Sequence, residues 1–161
     1  MTIAVGDKFP EITLKRLGAE GMEDFKIAEF LADKKVVLFA VPGAFTPTCA
    51  QKHLPGYISQ ADAIKAKGID AILCLAVNDP FVMKHWGEVA GADGKVMMIP
   101  DGNGDLVQAL GLALDGSGAG LGQRSQRFMM VIDHGQVSEL QVEPAAGALE
   151  LSGADVCLAR L

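Results

Sequence analysis

The amino-acid sequence predicts an α/β domain with a central mixed β-sheet flanked by helices. Two continuous apolar runs, KKVVLFAV (Lys34–Val41) and IDAILCLAV (Ile69–Val77), read as strands buried on both faces, because neither alternates with polar residues. A helix-compatible stretch separates them. Near the C-terminal end, RFMMVID (Arg127–Asp133) and QVSELQVE (Gln136–Glu143) flank Asp133-His134-Gly135, a hairpin signal.

The remaining elements follow in order. EITLKRL (Glu11–Leu17) is a candidate strand, and FKIAEFLAD (Phe25–Asp33) a short helix or turn. After the central strand Lys34–Val41, the segment from about Cys49 to Lys67 reads as helix, with Gly68 as its stop. Asp79 is placed to cap the next helix, Pro80 suits its first position, and FVMKHWGEVA forms its body. VMMIP (Val96–Pro100) is a short strand, and DLVQALGL (Asp105–Leu112) a helical turn or two. GSGAGLGQ (Gly116–Gln123) reads as a loop; it lacks the lysine ending of a phosphate cradle. SGAD (Ser152–Asp155) opens a last helix in a capping-box-like pattern. Helix-linked strands followed by a hairpin and a terminal helix fit a thioredoxin-like α/β sandwich.

Composition narrows the function. A chain of 161 residues, 50% hydrophobic and 21% charged, is enough for one packed domain. A net charge of −6 with no basic block disfavours nucleic acid and anionic membrane surfaces as partners. No apolar run is long enough for a membrane span, and the first residues show no secretory pattern, so a cytoplasmic location is expected. The three cysteines, Cys49, Cys74 and Cys157, are widely spaced and form no CxxC pair. That arrangement suits neither a disulfide framework nor a structural zinc site.

Cys49 is the residue with the strongest chemical signal. It falls at or near the first turn of the helix after the central strand, where unpaired N–H groups and the helix dipole favour a thiolate, the nucleophilic form. Thr46 occupies the position where a CxxC pair would carry its other cysteine. A hydroxyl there makes no disulfide, but it can donate to or accept from the sulfur or an oxygen bound beside it. On local grounds Thr46 is equally an N-cap, with Thr48 as the alternative cap.

PGAFTPTC (Pro42–Cys49) resembles the Pro-x-x-x-Thr-x-x-Cys signature of the peroxiredoxins, in their type II or peroxiredoxin-5-like group. The similarity continues in HLPGY (His53–Tyr57), VNDPFVMKHW (Val77–Trp86) and RSQRFMMVID (Arg124–Asp133), and covers residues 3–161 as one domain. The resemblance implies a thioredoxin fold and reduction of hydroperoxides, with no metal and no organic cofactor. It assigns Cys49 as the peroxidatic cysteine, Thr46 as a hydrogen-bonding partner of peroxide and sulfur, and Pro42 as a shield against water. Arg127 matches the family's active-site arginine, with Arg124 as a supporting neighbour. Gly43, Thr48 and Arg127 are the implied substrate contacts.

Regeneration of Cys49 is less constrained. Cys74 matches a second cysteine of type II proteins that resolves the sulfenic acid in some members; plain core packing in its strand is the other reading. Cys157 lies with Ala154, Leu158 and Leu161 on an apolar stripe and reads as core. Glutathione with glutaredoxin is the reductant suggested by the resemblance, thioredoxin the alternative, and a homodimer the expected assembly. Phe45, Pro47 and Leu114–Leu121 are candidates for a pocket rim or dimer contact. His53, four residues after Cys49, is expected to be structural or supporting rather than the base; His85 and Trp86 read as helix residues and His134 as a turn residue. Two other classes stay open: a thiol–disulfide oxidoreductase, weakened by the missing CxxC, and a non-catalytic sensor or chaperone-like role.

Overall fold

A computed structural model describes residues 1–161. The chain runs through β1 (Thr13–Gly18), β2 (Gly21–Lys26), α1 (Ile27–Leu31) and β3 (Lys35–Ala40). A π-helical turn (Cys49–His53) leads into α2 (Leu54–Ser59) and α3 (Ala61–Lys65). Next come β4 (Ala71–Ala76), α4 (Pro80–Ala90), β5 (Met97–Pro100) and α5 (Asp105–Leu110). The chain closes with β6 (Ala113–Asp115), β7 (Gln123–Ser125), β8 (Phe128–Asp133), β9 (Gln136–Val142) and α6 (Ala154–Ala159).

Five strands form the main sheet in the order β5-β4-β3-β8-β9. β3 is central, parallel to β4 and antiparallel to β8, so the sheet is mixed as expected. Successive β3 side chains point to opposite faces and split the core in two. Val36, Leu38 and Ala40 join Leu73, Leu75, Met130 and Ile132 on one face. Val37, Phe39 and Val41 join Cys49, Tyr57, Cys74 and Cys157 on the other. The second face carries the chemistry.

Local signals are realised where they are strong. The Asp79 carboxylate accepts from the amides of Phe81 and Val82 at 2.8 and 3.0 Å, with Pro80 at the first helical position. His134 and Gly135 both have positive φ, 50° and 84°, the type I′ geometry that matches the twist of a two-residue hairpin. Other expectations need correction. The expected strand Glu11–Leu17 pairs only with β2, outside the main sheet, and β2 takes Phe25 and Lys26 from the expected helix. The Gly-rich loop is bracketed by β6 and β7, whose three-residue strands are too short to show a period. Ser152 does not cap α6; its hydroxyl donates to Glu143, and Gly153 holds the cap position. The helix expected over Cys49–Lys67 begins earlier, at Pro47, is widened by the π turn, and breaks at Gln60.

Candidate active site

The site lies where β3 leaves the sheet. Val41 and Pro42 are buried, and the turn that follows is tied to the β4–α4 connection: the Ala44 amide donates to the Asn78 side-chain carbonyl at 2.9 Å. Phe45 takes the left-handed conformation, φ 63°, which strains a residue with a Cβ and is tolerated where surrounding structure holds it. Gly43 cannot carry a side chain without a shift, since a Cβ would stand 2.7 Å from Arg124 Nη1 and 3.2 Å from Thr46 Cγ2.

Hydrogen bonding places Cys49 at the helix start. Ala50 donates to the Thr46 carbonyl at 2.8 Å, which makes Thr46 the N-cap by backbone and Pro47 the first helical residue. Thr48 and Cys49 then lie in the first turn, where amides have no carbonyl one turn back. The Thr46 hydroxyl does not cap these amides; it donates to the Gly43 carbonyl at 2.7 Å. Nor does it bond the sulfur as expected: its proton is spent on Gly43, and only its lone pairs face a ligand. The Thr48 hydroxyl turns to the Gly147 carbonyl at 3.3 Å, so its amide is the group it presents at the helix start.

Arg127 arrives from β8. The antiparallel pair Ala40–Phe128 ends the β3–β8 ladder, so the next residue back, Arg127, comes level with the point where β3 turns into the site. Arg127 is 2% exposed, and each guanidinium nitrogen has one partner. Nε donates to the Ala146 carbonyl at 2.9 Å, Nη1 meets His53 Nδ1 at 2.8 Å, and Nη2 donates to Cys49 Sγ at 3.0 Å. None of these partners is a carboxylate. A buried cation is costly unless a negative charge meets it, and the side chain that Nη2 reaches is Cys49. Arg124 sits further out, with Nε on the Leu121 carbonyl at 2.8 Å and Nη1 3.5 Å from the Pro42 carbonyl.

His53 belongs to the site more closely than its sequence position suggested. Burial and then the Arg127 charge hold its pKa down to about 3, so the ring is neutral. Nε2 meets the Ser152 carbonyl at 3.0 Å and therefore carries the proton; Nδ1 is left as the acceptor for Arg127. A ring nitrogen occupied in this way is not a base for Cys49. Tyr57 donates to the same Ser152 carbonyl at 2.7 Å and stacks on Phe39, ring centroids 4.0 Å apart. Ser152 is held in turn by Glu143, whose carboxylate accepts from the amides of Glu150, Leu151 and Ser152 and from the Ser152 hydroxyl. Glu143 carried no sequence signal of its own, Ser152 was read only as a helix cap, and Asn78 lay unremarked in VNDPFVMKHW, a segment that resembles the family.

Neither of the other cysteines is hydrogen-bonded to Cys49 or Arg127. Cys74 is fully buried in β4 opposite Phe39, and burial, followed by the nearby Cys49 charge, raises its thiol well above the ordinary value. Burial pushes Cys157 in α6 to about 11. All the cysteines are free thiols. No cluster of metal-binding side chains is assembled, and no helix is long and apolar enough to cross a membrane.

The sequence profile of the Redoxin family matches residues 4–158. The chain belongs to the peroxiredoxins, in their type II group. It is 49% identical to peroxiredoxin-2E-2 of Oryza sativa, a chloroplastic protein, over 99% of this chain and 73% of that one. With peroxiredoxin-2B of Arabidopsis thaliana it shares 44% identity over 99% of this chain and 98% of that one. Among solved structures, reduced Prx3 of Vibrio vulnificus in complex with hydrogen peroxide superposes with a TM-score of 0.94 at 51% identity, covering 99% of both chains. This peroxiredoxin therefore has the thioredoxin-like fold that the order of its elements implied. It is a thiol peroxidase by family.

Proposed function

We propose that this peroxiredoxin reduces hydrogen peroxide and organic hydroperoxides to water and alcohols through a sulfenic acid on Cys49. The observation that carries the reading is the buried Arg127 guanidinium, 3.0 Å from the sulfur at a helix start and without a carboxylate partner. The thiolate attacks one peroxide oxygen, a sulfur–oxygen bond forms and the O–O bond breaks. The other oxygen leaves with the electron pair and takes a proton to become water or alcohol. Arg127 and the amides of Thr48 and Cys49 face the charge that develops on these oxygens. The lone pairs of Thr46 accept from the protonated peroxide oxygen, and buried Pro42 keeps water from the thiolate.

The sulfenic acid is then reduced by an external thiol, glutathione with glutaredoxin: one glutathione displaces water to give a mixed disulfide, and a second thiol releases Cys49. Burial of Cys74 within a paired central strand supports this external route over an internal disulfide, which would need the helix start to unwind and β4 to open. Thioredoxin is the second reading for the reductant. The cytoplasm, which supplies both thiols, is the location that fits. Phe45, 47% exposed beside the site, supports a homodimer that covers it.

The test is peroxide consumption by wild type and Cys49→Ser with each reducing system. Turnover by wild type with glutathione and glutaredoxin, none by Cys49→Ser, and little with thioredoxin is expected. Turnover by the serine variant would end the proposal, and faster turnover with thioredoxin would reassign the reductant.

A further inference from the structure

A buried arginine that must direct its charge at one sulfur needs its plane held. The Arg127 guanidinium is planar, and its orientation is set by what each nitrogen meets. Ala146 fixes the Nε edge, and His53 fixes the Nη1 corner at 2.8 Å, which aims Nη2 at Cys49. His53 performs this only in one tautomer, with its proton on Nε2. The Ser152 carbonyl, 3.0 Å away, selects that tautomer, and the Glu143 carboxylate keeps the Ser152 backbone in place through hydrogen bonds of 2.7 and 2.6 Å. The ring is also fixed from its face, packed 4.8 Å from Phe39. A merely space-filling side chain would need none of these polar matches, and both ring nitrogens are used.

We propose that His53 is a positioning residue for the peroxidase step: its unprotonated Nδ1, oriented by the Ser152 carbonyl, holds the Arg127 guanidinium so that Nη2 stays on the Cys49 sulfur as the O–O bond breaks. The proposal rests on the peroxidase reading above. His53 touches neither sulfur nor substrate and acts through Arg127 alone. That dependence makes it separable from a structural role. A residue that only stabilises the fold affects the reaction independently of Arg127, whereas a residue that acts through Arg127 has no effect once the guanidinium is gone.

The experiment measures the second-order rate of Cys49 oxidation by hydrogen peroxide in wild type, His53→Gln, His53→Asn, Arg127→Gln and the Arg127→Gln/His53→Gln double variant. Thermal melts establish that each is folded. Glutamine places its amide near Nε2 and loses the Nδ1 acceptor, so H53Q should slow oxidation by about tenfold or more. Asparagine places its carbonyl near Nδ1, and H53N should recover most of that loss. In the R127Q background H53Q should change the rate by less than about twofold. An H53Q loss that persists undiminished in R127Q, or H53Q at the wild-type rate, overturns the proposal. If H53Q does not fold, His53→Phe, which fills the space beside Phe39 without an acceptor, takes its place in the cycle. Wild-type protein that does not react with peroxide would overturn the peroxidase reading itself. A fast wild type with an equally fast H53Q would overturn only the role of His53.

Discussion

Glu143 and Ser152 are joined twice: one carboxylate oxygen accepts from the Ser152 amide at 2.7 Å and from its hydroxyl at 2.6 Å. Burial works against the charge on Glu143, but the hydrogen bonds from Ser152, Glu150 and Leu151 outweigh it and hold the carboxyl below its ordinary value. Glu143→Gln puts an NH2 group among donors and leaves amides without acceptors. It should cost about 3 kcal/mol of stability, and Ser152→Ala about 1 kcal/mol. Urea unfolding of the variants checks both. A neutral Glu143→Gln would show that the loop over residues 150–152 is held by packing instead.

The Thr46 hydroxyl donates to Gly43, so what it offers a substrate is acceptor capacity. Thr46→Val keeps the volume and removes both functions, whereas Thr46→Ser keeps both. The valine variant should lose on the order of a hundredfold in peroxide rate, and the serine variant less than about tenfold. Competition kinetics against a second peroxidase reads this directly. Equal rates for valine and wild type would remove Thr46 from the reaction.

His53 also makes stability depend on pH. In the unfolded chain its imidazole takes up a proton near pH 6.5, whereas in the fold it does so only near 3. Between those values the unfolded state binds the extra proton, so stability falls as pH falls, by up to about 1.4 kcal/mol per pH unit. Glu143, with its lowered value, adds a loss of the same sign once pH drops through its own range. Denaturant titrations from pH 7 to pH 5 should show a shallower decline for His53→Gln than for wild type. Parallel declines would mean that the imidazole is protonated within the fold.

Cys74 should leave the oxidised product unchanged. After one equivalent of hydrogen peroxide without reductant, intact-mass measurement should find a one-oxygen gain at Cys49 in both wild type and Cys74→Ser. Adding glutathione should convert both to the mixed disulfide. Loss of two hydrogens in wild type, absent in Cys74→Ser, would show that β4 opens and that an internal disulfide forms.

The sequence by itself determined what local information encodes. Unbroken apolar runs specify strands buried on both faces, Asp79-Pro80 specifies a helix start, and Asp133-His134-Gly135 specifies a turn with positive φ. The helix start at Cys49 was legible to within a turn, although the structure begins that helix two residues earlier, at Pro47. Only the tertiary structure decided which groups meet. Arg127 reaches Cys49 across 78 positions because the β3–β8 register brings it level with the end of β3. His53 reaches Ser152 across 99 positions because Glu143, just past the end of β9, holds the Ser152 backbone there, and nothing adjacent to either residue encodes the pairing. The direction of the Thr46 hydroxyl was equally undecided, since a side chain with a donor and acceptors takes whichever partner the folded turn presents. Burial completed the arrangement: the same arginine at a solvated strand end would be an ordinary surface charge, whereas here it is enclosed with Nη2 on the Cys49 sulfur.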